Sequence, residues 1–251
     1  MTAAQTLPAA ASELAAAVKE REYLRLLGLP RGRSLEGDLR ARADGARQWY
    51  ASHGQPFVAA RRVALREVAS GVIALETGEA LTSTVLADRL RTHEAHALVA
   101  LGASAGREVA EETKHLWATD RPDEAYFLDR FAVAVAERLV FWASATLCRA
   151  SESERETLLP HLSPGCGHWD LGDQHRLMAL LTGGSAPTLG PIELLSSGAL
   201  HPQHSLLAAL GVTRRPYTSS AEGLCRSCDL DPCAFRRAPF TNDALHAREA
   251  V

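Results

Sequence analysis

Asp123-Glu124-Ala125-Tyr126-Phe127-Leu128-Asp129-Arg130-Phe131-Ala132-Val133-Ala134-Val135-Ala136-Glu137-Arg138-Leu139-Val140-Phe141-Trp142-Ala143-Ser144-Ala145-Thr146-Leu147-Cys148 is the stretch that decides the fold. Phe127, Phe131, Ala134, Val135, Leu139 and Trp142 recur three or four residues apart, the spacing of one helix face. Nearly every turn carries an apolar side chain, so the helix is expected to be central and largely buried. Glu137 sits in its middle. A buried carboxylate needs a partner or an altered pKa, so Glu137 is either ion-paired, to Arg130 or another element, or a ligand contact.

Outward towards the N-terminus, 108–117 reads as a helix, 102–106 as a turn and 95–101 as a short buried strand. Residues 57–65 and 72–75 read as a hairpin-like pair around Ser70-Gly71, and Thr82 or Ser83 opens a helix to Arg91. Residues 12–27 have helical apolar spacing, ended by Gly28 and Pro30; Ser34 is expected to cap a helix running to about His53. Residues 1–12 are expected to be disordered. Outward in the other direction, Ser151-x-x-Glu154 is a capping-box pattern for a small helix, and Asp170 is expected to cap a helix over 171–181. Strand-like runs follow at 192–195 and 205–212. Strands and helices mix without regular alternation, which predicts an α+β domain over 13–212 built on a mainly antiparallel sheet with flanking helices. Residues 213–251 form a polar, Cys-containing tail.

Bulk properties narrow the function. The chain has 251 residues, 46% hydrophobic, and a formal charge of -3, which gives no basic face for nucleic acid. No run reaches the ~18–20 uninterrupted apolar residues of a membrane span. The Ala-rich start lacks a basic region and is not a signal peptide. With no export signal, five Cys, three of them clustered, favour thiols or a metal site over disulfides, and the cytoplasm as location.

Two constellations could carry chemistry. Cys225-x2-Cys228-x4-Cys233 has spacing that lets three thiolates reach one Zn ion or an Fe–S cluster, with Cys166, Cys148, a His or an outside molecule as fourth ligand. The alternative is three free or partly oxidised thiols on a tail. The second is the loop His161-Leu162-Ser163-Pro164-Gly165-Cys166-Gly167-His168-Trp169-Asp170-Leu171. It concentrates breakers, two His and a Trp before a helix, where function tends to sit. His161, Cys166, His168 and Asp170 could form a metal site, but turn and capping roles explain them more simply. No phosphate-binding Gly loop, nucleophile elbow or dinucleotide fingerprint is present.

Phe127-Leu128-Asp129, Ala136-Glu137, Ser163-Pro164-Gly165-x-Gly167-x-Trp169, Leu171 and Gln174 resemble the activation domain of cobalamin-dependent methionine synthase. The resemblance is greatest to its short, free-standing forms. It extends through Ser197-Gly198, Pro202, Ser205 and Cys225-x2-Cys228-x4-Cys233-x2-Arg236, and back to Asp120–Tyr126, Tyr23-Leu24 and Trp49-Tyr50. It implies a twisted antiparallel sheet and S-adenosylmethionine bound in a shallow groove by Glu137, His161, Ser163, Pro164, Gly165, Cys166 and Gly167. It also implies a cobalamin-binding partner and a flavodoxin-like or ferredoxin electron donor. Such a domain reactivates Co(II) cobalamin by positioning a methyl donor, with no catalytic acid, base or nucleophile of its own.

The departures fall in the binding loop. The family motif Arg-x3-Gly-Tyr reads His161-x3-Gly165-Cys166 here. A guanidinium grips a carboxylate with two charge-assisted bonds, whereas an imidazole offers one. Loss of the Tyr removes a flat stacking group. Thr-Glu-Ser is replaced by Leu195-Ser196-Ser197, and Ser-Val-Ser by Ser205-Leu206-Leu207.

Overall fold

The computed structural model describes residues 4–30, 32–166, 168–184, 186–215 and 217. Strand β1 (Gln5–Thr6) leads into helices α1 (Ala11–Ala17), α2 (Glu20–Leu26) and α3 (Gly37–His53). A meander follows: β2 (Phe57–Ala69), β3 (Val72–Leu75) and β4 (Ala80–Thr82). Next come α4 (Thr84–Thr92), β5 (Ala97–Ser104), α5 (Arg107–Ala118) and the 30-residue α6 (Pro122–Ser151). A 3-10 turn (Glu152–Glu154), β6 (Thr157–Leu158) and α7 (Asp173–Thr182) precede β7 (Thr188–Leu189), β8 (Ile192–Leu194), β9 (Leu200–His201) and β10 (Ser205–Thr213).

The main sheet has the order β4-β3-β2-β5-β10-β6, with β1 added to β2, and every pairing is antiparallel. A small antiparallel sheet, β7-β8-β9, stands apart. The fold is therefore α+β, as the mixed sequence pattern predicts.

Side-chain alternation on β5 splits the core in two. Ala97, Val99, Leu101 and Ala103 face one apolar cluster, and Leu98 and Ala100 face another. All eight β5 residues are buried, because helices cover one face and α4, α7 and the small sheet cover the other. On the first face, Phe127, Phe131, Val135 and Leu139 of α6 pack against α1, α2, α3 and α5. Helix α6 has the length and hydropathy of a membrane span, but these apolar residues are spent on the interior, and Asp129, Arg130, Glu137 and Arg138 interrupt its surface.

Four expectations for residues 1–104 need correcting. Residues 1–12 were expected to be disordered, yet Gln5 and Thr6 pair with Ala60 and Ala59 of β2. Residues 12–27 form two helices, not one. The break at Val18 is held by Arg47 of α3, whose guanidinium donates to the Ala15 and Val18 carbonyls at the end of α1. β5 runs on to Ser104 through Gly102, the expected turn. Gly102 pairs with Ala59 and Leu207 in the ladder, and it is glycine because an added Cβ would meet Leu189 at 2.6 Å. The helix expected from Ser34 starts at Gly37, and the Ser34 hydroxyl donates instead to Glu36 Oε1.

Candidate functional site

The breaker-rich loop is fastened to the end of the main sheet. Leu159 N donates to Gly211 O (2.8 Å), and Leu162 exchanges two backbone bonds with Ala209 of β10. Beyond that bridge the loop closes on itself. Cys166 N donates to Ser163 O (3.0 Å), Trp169 N to Cys166 O (3.1 Å) and Gly165 N to Trp169 O (2.7 Å). Gly165 has φ 88°, a conformation open to glycine. His168 adopts φ 62°, unusual for a side-chain-bearing residue, and such strain gathers at sites of function.

Inside this loop the Ser163 hydroxyl is buried with no hydrogen-bond partner among the described residues. A buried orphan hydroxyl is costly unless something else satisfies it. Cys166 is exposed. His161 sets its ring edge-on against Phe141 of α6, with centroids 5.4 Å apart at 80°.

Glu137 lies one turn before Phe141 on α6. Its carboxylate meets Arg25 of α2 at 2.9 Å rather than Arg130, which pairs with Asp129. A second pair, Arg138 with Glu22 (2.7 Å), runs beside it. Two ion pairs thus tie α2 to the stretch of α6 on which His161 rests. His161 rests on Phe141, one turn along α6 from Glu137; the sequence pattern does not single out Phe141. Pro164 and Gly165 complete the described part of the loop; Gly167 lies outside the described residues.

Trp169 is not a surface residue. It is 2% exposed and belongs to the core cluster under α7. Its indole Nε1 donates to Asp173 Oδ2 (2.8 Å), which also accepts from Thr82 N (2.8 Å), while Arg176 pairs with Oδ1 (2.6 Å). Asp170, expected to cap a helix over 171–181, instead accepts from Gly172 N in a turn (2.7 Å), and α7 begins only at Asp173. The large apolar side chain that the loop exposes is Leu171, 45% accessible, beside Gly165 and Gly198; Leu195 is exposed as well.

A second polar cluster lies where β10 begins. Asp129 Oδ1 accepts from Gln203 (2.6 Å) and from His204 Nε2 (2.8 Å), and Arg130 bonds the other oxygen. Burial would raise the Asp129 pKa, but the bonds from His204 and Arg130 outweigh it and hold the carboxyl below its ordinary range.

Among the described residues no group of three or more His, Cys, Asp or Glu could hold a metal ion. His161, Cys166, His168 and Asp170 thus form no such group, and the metal alternative to their turn and capping roles falls away. Cys225, Cys228 and Cys233 lie outside the described residues.

A solved structure described as the MetH reactivation domain bound to AdoHcy superposes with a TM-score of 0.63, over 89% of this chain and 84% of that one. This chain has the fold of the MetH reactivation domain. Sequence identity to it is 12%, so the likeness lies in architecture and not in side chains. No family model and no curated protein matches the sequence. The reactivation-domain fold accounts for the antiparallel sheet and the long internal helix together.

Proposed function

We propose that the chain is a stand-alone reactivation module for a corrinoid methyltransferase, binding S-adenosylmethionine against the 161–169 loop. The observation that carries the proposal is the shared fold with a domain described as bound to AdoHcy, over most of both chains. The loop supports it locally: the buried Ser163 hydroxyl, without a partner among the described residues, offers a polar contact to a small ligand. The partner brings cobalamin in the Co(II) state. One electron from a flavodoxin-like or ferredoxin donor and the methyl group of S-adenosylmethionine pass to its cobalt, and S-adenosylhomocysteine leaves. This chain holds the donor in line with the metal and supplies no proton.

His161 favours a second reading. Its ring packs on Phe141, a structural use, and a single imidazole is a poor substitute for a guanidinium fork. The chain would then be a corrinoid-protein partner that has kept the docking fold and lost the methyl donor.

Titration calorimetry separates the two. S-adenosylmethionine should bind the wild-type chain about a hundredfold more weakly than a His161→Arg, Cys166→Tyr double variant. No heat from either protein would leave only the second reading.

A further inference from the structure

Helices α3 and α5 both pack on the first half of α6 but hardly on each other. The groove between them holds a cavity of about 360 Å³, within the range of small-molecule sites. It lies some three to four turns of α6, roughly 20 Å, from Phe141 and the 161–169 loop.

Leu116 of α5 and Leu128 of α6 give the cavity an apolar floor, each nearly fully buried. Trp49 of α3 is a wall, its indole fixed by stacking on His53 (centroids 5.1 Å apart, 23° between planes). Of the charged groups at the rim, Arg42 is paired with Asp123 (2.7 Å) and Arg121 with Glu124 (3.5 Å). Glu112 lines the same cavity and has no hydrogen bond or ion pair among the described residues. The charge left over is therefore negative, beside an aromatic face.

Gly45 points to the same place. It sits in the middle of α3, where glycine is the least favourable residue after proline. Nothing in the fold demands it: an added Cβ would meet no atom within 4 Å. The missing side chain leaves room in the cavity that Gly45 lines.

We propose that this groove binds a small organic ammonium ion with an apolar or aromatic body. The ammonium pairs with Glu112, and the body lies on Leu116 and Leu128 against Trp49. A carboxylate and an indole together are what such a cation prefers.

The test is calorimetric titration of the full chain with 2-phenylethylamine, 3-phenylpropionate and 2-phenylethanol, probes of one shape and three charges. The amine should saturate the protein, with the acid and the alcohol at least about tenfold weaker. Glu112→Gln should weaken the amine about tenfold. Gly45→Leu should abolish its binding while the melting temperature holds or rises, since leucine favours the helix. Equal affinities for the three probes, or an amine affinity unchanged in both variants, would overturn the proposal.

Discussion

The indole Nε1 of Trp169 donates to Asp173 Oδ2 at 2.8 Å, and the same oxygen takes the backbone N–H of Thr82 at the same distance. One carboxylate at the start of α7 thus joins the breaker-rich loop to the β4 edge of the main sheet. Trp169→Ala should destabilise the protein by about 3–5 kcal/mol, a core cavity cost. Asp173→Asn should cost about 1–3 kcal/mol. Urea denaturation followed by circular dichroism measures both. A change below 1 kcal/mol for Trp169→Ala would show that the loop is not anchored through it.

With Trp169 inside, the proposed docking of a cobalamin-carrying partner on the loop face would use other residues. Leu171 and Leu195 are exposed apolar side chains near the loop, and a charge placed on either would oppose burial against a partner. Leu171→Glu with Leu195→Glu should reduce recovery of a Co(II)-state corrinoid protein at least about tenfold in a pull-down. Wild type and the double variant recovering it equally would place the interface elsewhere.

The three clustered thiols are expected to hold one metal. Anaerobically purified protein should carry one equivalent of Zn or an Fe–S chromophore, and Cys→Ser at position 225, 228 or 233 should release or bleach it. Content well below one equivalent would mean a tail with free thiols.

Acid should loosen the fold through two carboxylates. Arg62 holds Glu156 below its usual pKa with paired bonds of 2.7 and 2.9 Å, against opposition from burial and with help from His96. Asp129 is lowered as described above. Both folded values lie below the unfolded ones, so their stabilisation is complete above about pH 5 and is lost as pH falls through the folded values. Denaturation midpoints should be level from pH 7 to 5 and drop towards pH 3. Asp129→Asn with Glu156→Gln should start lower at pH 7 and drop less steeply.

Much of the architecture is legible in local patterns. The 3.6-residue apolar period marks α6, Ser70-Gly71 marks the β2–β3 turn, and Ser83 caps α4 by accepting from Leu86 N (3.2 Å). The departures arise where a distant residue overrides a local signal. Gly102 looks like a turn until Ala59 and Leu207 pair with it, and the α1–α2 break depends on Arg47 from another helix. The candidate site follows the same division. Its loop is visible from its breakers, but the inward turn of Trp169 depends on Asp173, and the seat of His161 on Phe141; neither contact leaves a mark in spacing alone.

β2 is thirteen residues long, and β3 pairs only with 65–69 of it. Over 58–60, the side away from β5 is covered by Gln5 and Thr6, with Leu7 N donating to Val58 O (2.9 Å). Trimming the chain up to Leu7 would leave the backbone of 58–60 open, next to buried alanines and a valine. An uncovered row of this kind recruits strands from other molecules. Gln5, Thr6 and Leu7 thus keep this stretch of β2 backbone paired, and a deletion reaching Leu7 should raise the tendency to aggregate on concentration.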